Sequence, residues 1–369
     1  MPVRRWTVPV IATAALFALS PAAYGQSKVE SESIQFESAD AVQLQGTIYK
    51  PILDEKTKIV AAKDAADAPV VILLHSFGAD GNTKEWDSLA TMLAERGFHV
   101  LRFDFRGHGK STVIARQFWE YQENAGPLST LARKRPQPLK LEPADLRKEQ
   151  GYFPVLVNDI MAARVALDKK NDAGTLNTAS VYLIGAGDAA AIGMMYMTAE
   201  WSRPQKPRDF EVIKVLPLPN VDSRLSAGKD IAGAVWISPA RPSGISEKAM
   251  KNWVSAYSDL RDSNPVLCIH GDGDATGKAV SKFIVDEMLV ANPANNSRLN
   301  KLPFTTTKVV EKTKLSGAAL LNGKLGTEDL IIKYLETLEK DRKSVTKVVN
   351  RNYNDPPFIH PTLLGATVK

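Results

Sequence analysis

Few residues in this chain are of types that do chemistry. There is one cysteine, Cys268, and there are five histidines, at 75, 99, 108, 270 and 360, with none between 271 and 359. Cys268 sits in the apolar run Pro265-Val-Leu-Cys-Ile and reads as a small buried hydrophobe. One cysteine supports neither an internal disulfide nor a cysteine-built metal site. The carboxylates of interest follow apolar runs: Asp188 in VYLIGAGDAA (181–190), and Asp272 and Asp274 in the G-D-G-D stretch after Val266–His270. The first stretch reads as strand, tight turn and helix. Gly187 suits a turn that needs positive φ. Asp188, flanked by small residues, either caps the helix that starts at Ala189 or presents a carboxylate nucleophile, and the cap is the preferred reading. Gly185-x-Gly187-x-x-Ala190 also fits a dinucleotide-binding fingerprint. It stands in the wrong βαβ unit, no acid ends the next strand, and the N-terminus directs the chain away from NAD. No cofactor and no metal are expected.

The elements that must position these residues come from the hydrophobic rhythm. Ser33 to Lys50 alternates apolar and polar residues around Asp40, which predicts an antiparallel hairpin. From residue 70 the pattern changes to continuous apolar runs separated by helical spacing. Strands are predicted at 70–74, 98–103, 180–184, 233–237, 266–270 and 306–311. Helices are predicted at 83–96, 153–167 (amphipathic), 189–200, 278–290 and 327–339. This alternation implies a mostly parallel sheet with helices on both faces. Two irregular stretches, 113–152 and 202–229, read as insertions, and 341–369 as a polar tail that wraps the surface or is loose.

Residues 1–25 show the charged, apolar, small-residue order of a secretory signal peptide: Arg4-Arg5, then Val8 to Leu19, then Ala22-Ala23-Tyr24-Gly25. Cleavage is expected after Gly25, giving a secreted or periplasmic chain with no transmembrane span once mature. The formal charge of +6 falls to +4 when that segment and its two arginines are removed. That is a mildly basic surface, not a nucleic-acid stripe. The basic runs Arg133-Lys134-Arg135 and Lys206 to Arg208 read as solvated loops. The expected partner is a small molecule or an envelope component of unknown identity.

Four stretches in order resemble the α/β-hydrolase superfamily, in its lipase/esterase, dienelactone hydrolase or serine-aminopeptidase-like branches. They are VVILLHSFGADG (70–81), HVLRFDFRGHGKS (99–111), VYLIGAGDAAAIG (181–193) and PVLCIHGDGD (265–274). The resemblance covers roughly 33–340 outside the insertions. It implies an α/β-hydrolase fold with an N-terminal antiparallel hairpin, and a serine–histidine–acid triad with two backbone oxyanion donors.

Carried onto this chain, the resemblance puts Gly187 at the nucleophile, Asp274 at the acid, Ser316 (in SGAALL) at the histidine, and the N–H groups of Phe77 and Asp188 at the oxyanion hole. Glycine has no attacking atom, and without an imidazole neither a serine nor an aspartyl ester route turns over. Ser76 stands where the family usually has glycine. The sequence therefore reads as a hydrolase scaffold with a degraded triad and no confidently assigned catalytic residue: a pseudoenzyme that binds or scaffolds. The alternatives are an ester- or peptide-cleaving serine hydrolase with displaced residues, such as Ser76 near His75 or Ser111 near His108, and a dehalogenase-like enzyme with Asp188 as nucleophile. His99 and His360 read as structural or surface histidines.

Overall fold

The computed structural model describes residues 29–77, 81, 83–148, 150–207, 212–290, 305–342 and 347–369. The signal-like segment 1–25 lies outside the described residues. Ser31–Glu37 (β1) and Gln43–Tyr49 (β2) form the expected hairpin. Pro69–Leu74 (β3), His99–Phe103 (β4), Asn177–Ala186 (β5), Ile231–Ile237 (β6), Val266–Gly271 (β7) and Thr306–Val310 (β8) complete one eight-stranded sheet. Its order is β1-β2-β4-β3-β5-β6-β7-β8. Only the β1–β2 and β2–β4 pairs are antiparallel. This is the α/β-hydrolase fold. Strands β3 to β7 are buried along their whole length, which is why they read as unbroken apolar runs.

Helices cover both faces. Lys84–Glu95 (α1) and Thr327–Asp341 (α6) lie on one side; Val157–Asp172 (α2), Ala189–Trp201 (α3), Glu247–Ala256 (α4) and Ala275–Lys282 (α5) lie on the other. In α1, Trp86, Leu89, Ala90 and Leu93 face the core at helical spacing. Three readings need correction. The helix predicted at 153–167 starts at 157, after a 3-10 turn holding Pro154, and runs to 172. It is not amphipathic but buried on nearly every side, because the 113–152 segment and the chain end cover its outer face. Helix α4 had not been anticipated. Its start is marked by Ser246, whose Oγ accepts the N–H of Ala249 at 3.1 Å. Helix α5 begins at 275 and continues as a wider π turn over 283–288.

Two buried ionic clusters let polar residues occupy that covered side. Arg106 pairs with Asp40 in the hairpin turn and bonds Asp159 of α2 through Nε at 2.8 Å. Its Nη1 also donates to the Tyr152 hydroxyl at 2.9 Å. Burial works against both carboxylates. Asp40 is nevertheless held below the ordinary range by Arg106, Ser38 and Asn124, while Asp159 is pushed up to about 6. The second cluster joins Arg164, Asp168, Glu200, Arg203, Asp230 and Arg351.

Arg351 brings the C-terminal segment into the core, so the described residues 347–369 are not a loose tail. Its Nη1 lies 2.8 Å from Asp230. Phe358–Ile359 pairs in parallel with Val215–Leu216, and Trp253 Nε1 donates to the Leu364 carbonyl at 2.6 Å. Burial would raise Asp168, but Arg164, Arg351 and Arg203 hold it at about 2. Removing one partner of such a buried pair costs ~3–5 kcal/mol. Arg351→Met should therefore lower unfolding stability at pH 7 by about that amount, measured by urea denaturation. The depressed Asp168 contributes stability above its unfolded value near 4, lost as pH falls toward 2. The wild type should accordingly lose more stability than Arg351→Met between pH 4 and 2.

Candidate functional site

The carboxyl ends of β3, β5, β6 and β7 meet at one edge of the sheet, the usual place for a site in an open parallel sheet. Strand β5 delivers the turn. Gly185 is there for packing: a Cβ on it would come within 3.0 Å of the Trp236 ring, and one on Gly193 within 2.5 Å. Gly185, the first glycine of the dinucleotide-like fingerprint, thus has a steric cause. Gly187 has φ +58°, the left-handed backbone of a nucleophile elbow. Its carbonyl accepts the N–H of Ala240 at 2.9 Å, and its N–H donates to the Ile237 carbonyl at 3.0 Å. The seat is built and fastened, and glycine fills it.

Ser76 covers that seat. A Cβ on Gly187 would lie 3.0 Å from Ser76 Cβ. Relative to the pattern the resemblance implies, side-chain volume has crossed the cleft: serine for glycine at 76, glycine for serine at 187.

The Phe77 N–H, which the resemblance implies as an oxyanion donor, is already occupied. The N–H of Phe77 donates to Asp188 Oδ1 at 3.0 Å. Burial pushes the Asp188 carboxyl above its ordinary range, against the pull of the N–H groups of Phe77, Asp188 and Ala189 and of His108. The capping role preferred from the sequence is corrected here. Asp188 stands at the N-cap position of α3, but its backbone is already helical (φ −68°, ψ −20°) and its side chain makes no capping hydrogen bond. That backbone sends the carboxylate across the cleft to Phe77. An oxyanion at this place would meet a carboxylate where it needs donors.

Asp274 serves its own helix. It is the N-cap of α5, with Oδ1 accepting the N–H of Gly277 at 2.9 Å. Its Oδ2 is buried with no hydrogen-bond partner among the described residues. Gly277 makes room for it, since a Cβ there would fall 2.2 Å from Oδ2. Asp272 is exposed but not merely solvated: it accepts the N–H groups of Lys312 and Thr313, each at 2.9 Å, and ties the loop after β8 to the loop after β7. Ser316 follows in that loop and is exposed.

Among the described residues, the histidine ring nitrogens bond partners other than serine hydroxyls. His75 accepts the Phe105 N–H on Nε2 at 2.9 Å, so Nδ1 carries the proton and donates to the Ser76 carbonyl at 2.9 Å. His108 Nδ1 bonds the Arg106 carbonyl at 2.9 Å. Ser111 is fully buried, with Oγ accepting the Gln45 N–H at 2.9 Å. His270 Nδ1 bonds the Gly271 carbonyl at 2.8 Å, and His99 Nε2 the Ala65 carbonyl at 2.8 Å. His360 pairs with Glu123 at 3.0 Å and belongs to the chain end. Burial raises the Cys268 thiol to about 12, which removes it as a nucleophile. Among the described residues, no group of three or more His, Cys, Asp or Glu is arranged to hold a metal.

Residues 69–164 match a family model described as the alpha/beta hydrolase fold. That span includes Ser76 and Phe77 and ends before Gly187, Asp274 and Ser316. The uncharacterized protein YfhR of Escherichia coli K12 is 33% identical over 88 residues, 24% of this chain. The match spans only 28% of the length of that curated relative. Among solved structures, the chain is similar to the Pyrococcus furiosus esterase Pf2001 (TM-score 0.45, 16% identity, 86% of this chain and 92% of that one). It is also similar to a dienelactone hydrolase from Anabaena variabilis (0.45, 13%, 85% and 98%). A third is an alpha-beta serine hydrolase homologue from Coxiella burnetii (0.43, 16%, 82% and 97%).

The Asp188–Phe77 contact can be tested by titration. A carboxyl raised by folding opposes folding once ionised, so this group's contribution falls as pH rises from its unfolded value near 4 through its folded value. Asp188→Asn keeps an acceptor for Phe77 and removes the charge. It should unfold at higher urea than wild type at pH 7, with the difference gone by about pH 3.

Proposed function

We propose that this member of the α/β-hydrolase superfamily is an exported, non-catalytic binding or scaffold protein that keeps the hydrolase framework without its reaction. One observation carries the reading: the Asp188 carboxylate occupies the Phe77 N–H beside a glycine at the elbow. The empty nucleophile seat and the filled oxyanion donor reinforce each other. In a triad enzyme stripped of its triad, the hole and binding alone still give ~10³–10⁴ over water. Here even that remainder is opposed by a resident negative charge. The capping role of Asp274 supports the same reading, since the acid has work that needs no histidine.

A serine hydrolase with displaced residues is the second reading, favoured by the position of Ser76 over Gly187. Against it, both nitrogens of the adjacent His75 are engaged. A dehalogenase-like use of Asp188 is weaker, because its Oδ1 is held by the Phe77 N–H.

A fluorophosphonate probe should leave the chain unlabelled, and p-nitrophenyl acetate should be cleaved no faster than by a heat-denatured sample. Gly187→Ser alone should change neither result. Labelling that maps to Ser76 would establish the second reading, and chloride release from haloalkanes that Asp188→Asn abolishes would establish the third. For export, the N-terminus of the chain recovered from its native host should be Gln26; recovery of Met1 or Pro2 would refute processing.

A further inference from the structure

A cavity of about 860 Å³ lies away from the Gly187 cleft, between the hairpin, α2 and the C-terminal segment. It is within the range of small-ligand pockets. Its outline is unusual. The consecutive residues 34–39 all line it, although successive side chains of a strand point to opposite faces. The cavity therefore runs along the backbone edge of β1 and not over one face of it. Residues 352–356 form the facing wall.

That edge carries unpaired backbone groups. β1 ends the sheet. The bonds from the Lys50 N–H to the Glu30 carbonyl and from the Ser38 N–H to the Val42 carbonyl fix the even-numbered residues as the hydrogen-bonded pairs with β2. The odd-numbered residues, Gln35 and Glu37 among them, turn their N–H and C=O groups outward along the slot. Phe36 and Val165 contribute to an apolar floor. Lys169, Lys214, Glu37 and Asp355 line the slot, and none of the four forms an ion pair among the described residues. Opposite charges left unpaired around one slot complement a ligand that carries both signs.

We propose that this slot binds an extended peptide segment of a partner protein, added as a strand antiparallel or parallel to β1, with apolar residues at alternate positions and charges of both signs. The wall at 352–356 lies on the far side of the slot from the β1 edge. The four residues of β1 that line the slot, 34–37, at about 3.3 Å each, offer roughly 13 Å of pairing length. The proposal does not depend on the reading of the Gly187 cleft.

The test uses a phage-displayed library of random seven-residue peptides, selected on the full chain. Gln35→Pro deletes an outward N–H without touching the β1–β2 ladder, a substitution an edge strand tolerates. Ala166→Trp fills the slot from the helix side. Selected peptides should bind the wild type and lose at least roughly ten-fold affinity to each variant. Urea unfolding at the wild-type midpoint would certify that each variant is folded. Ser316→Ala, on an exposed loop elsewhere, should bind as wild type. Failure to enrich any peptide, or peptides insensitive to both substitutions, overturns the proposal. Loss with Ala166→Trp but not with Gln35→Pro also overturns it, because the slot would then hold its ligand without strand pairing. If only the fluorophosphonate result departs from expectation, the slot is unaffected.

Discussion

The guanidinium of Arg106 is the constraint on which the rest of this structure hangs. It is fully buried and joins the hairpin turn at Asp40, the helix that covers the sheet at Asp159, and the insertion at Tyr152. Three distant pieces of chain thus meet at one planar fork of donors, a geometry lysine does not offer. The neighbouring residues of the same turn serve the same end. Asp104 accepts the N–H of Gly81 and of Lys110, and Ser111 accepts that of Gln45. The D-F-R-G-H-G-K-S motif is therefore a framework device that holds the loop after β3 against the hairpin.

The framework and the cleft are therefore under different constraints. The residues of that motif are needed for folding whatever the cleft does, because leaving a buried arginine or carboxylate unpaired is costly. The positions where the resemblance implies a triad carry no such obligation. Gly187 relaxes a backbone that strains a residue with a side chain. Ser76 fills the space over Gly187. Asp188 satisfies an N–H that would otherwise point into the cleft, and Asp274 caps a helix. Each of these residues meets a local demand of packing or hydrogen bonding.

The buried ionic cluster around Asp168 has a parallel effect at the other end of α2. It draws Arg351 inward, and with it the segment that forms one wall of the slot beside β1. An exposed strand edge invites indiscriminate pairing. Here the C-terminal segment and Lys214 line the cavity along that edge.

The strands, the hairpin, the glycine at the elbow and the lack of a histidine between 271 and 359 were legible in the sequence by itself, because they depend on period, on residue type and on order along the chain. The orientation of Asp188 was not. A cap and a cross-cleft hydrogen bond call for the same residue at the same place, and the choice was made by the helical backbone of residue 188 and the position of Phe77, 111 residues away in the chain. The burial of α2 and the seating of Arg351 were equally hidden. Polar residues inside a helix read as a solvated face until their partners, brought from elsewhere in the chain, are known. Composition and spacing thus determined the scaffold and the glycine at 187; only tertiary structure decided which charges face each other, since ion pairs and hydrogen bonds depend on distance in space, not on separation in sequence.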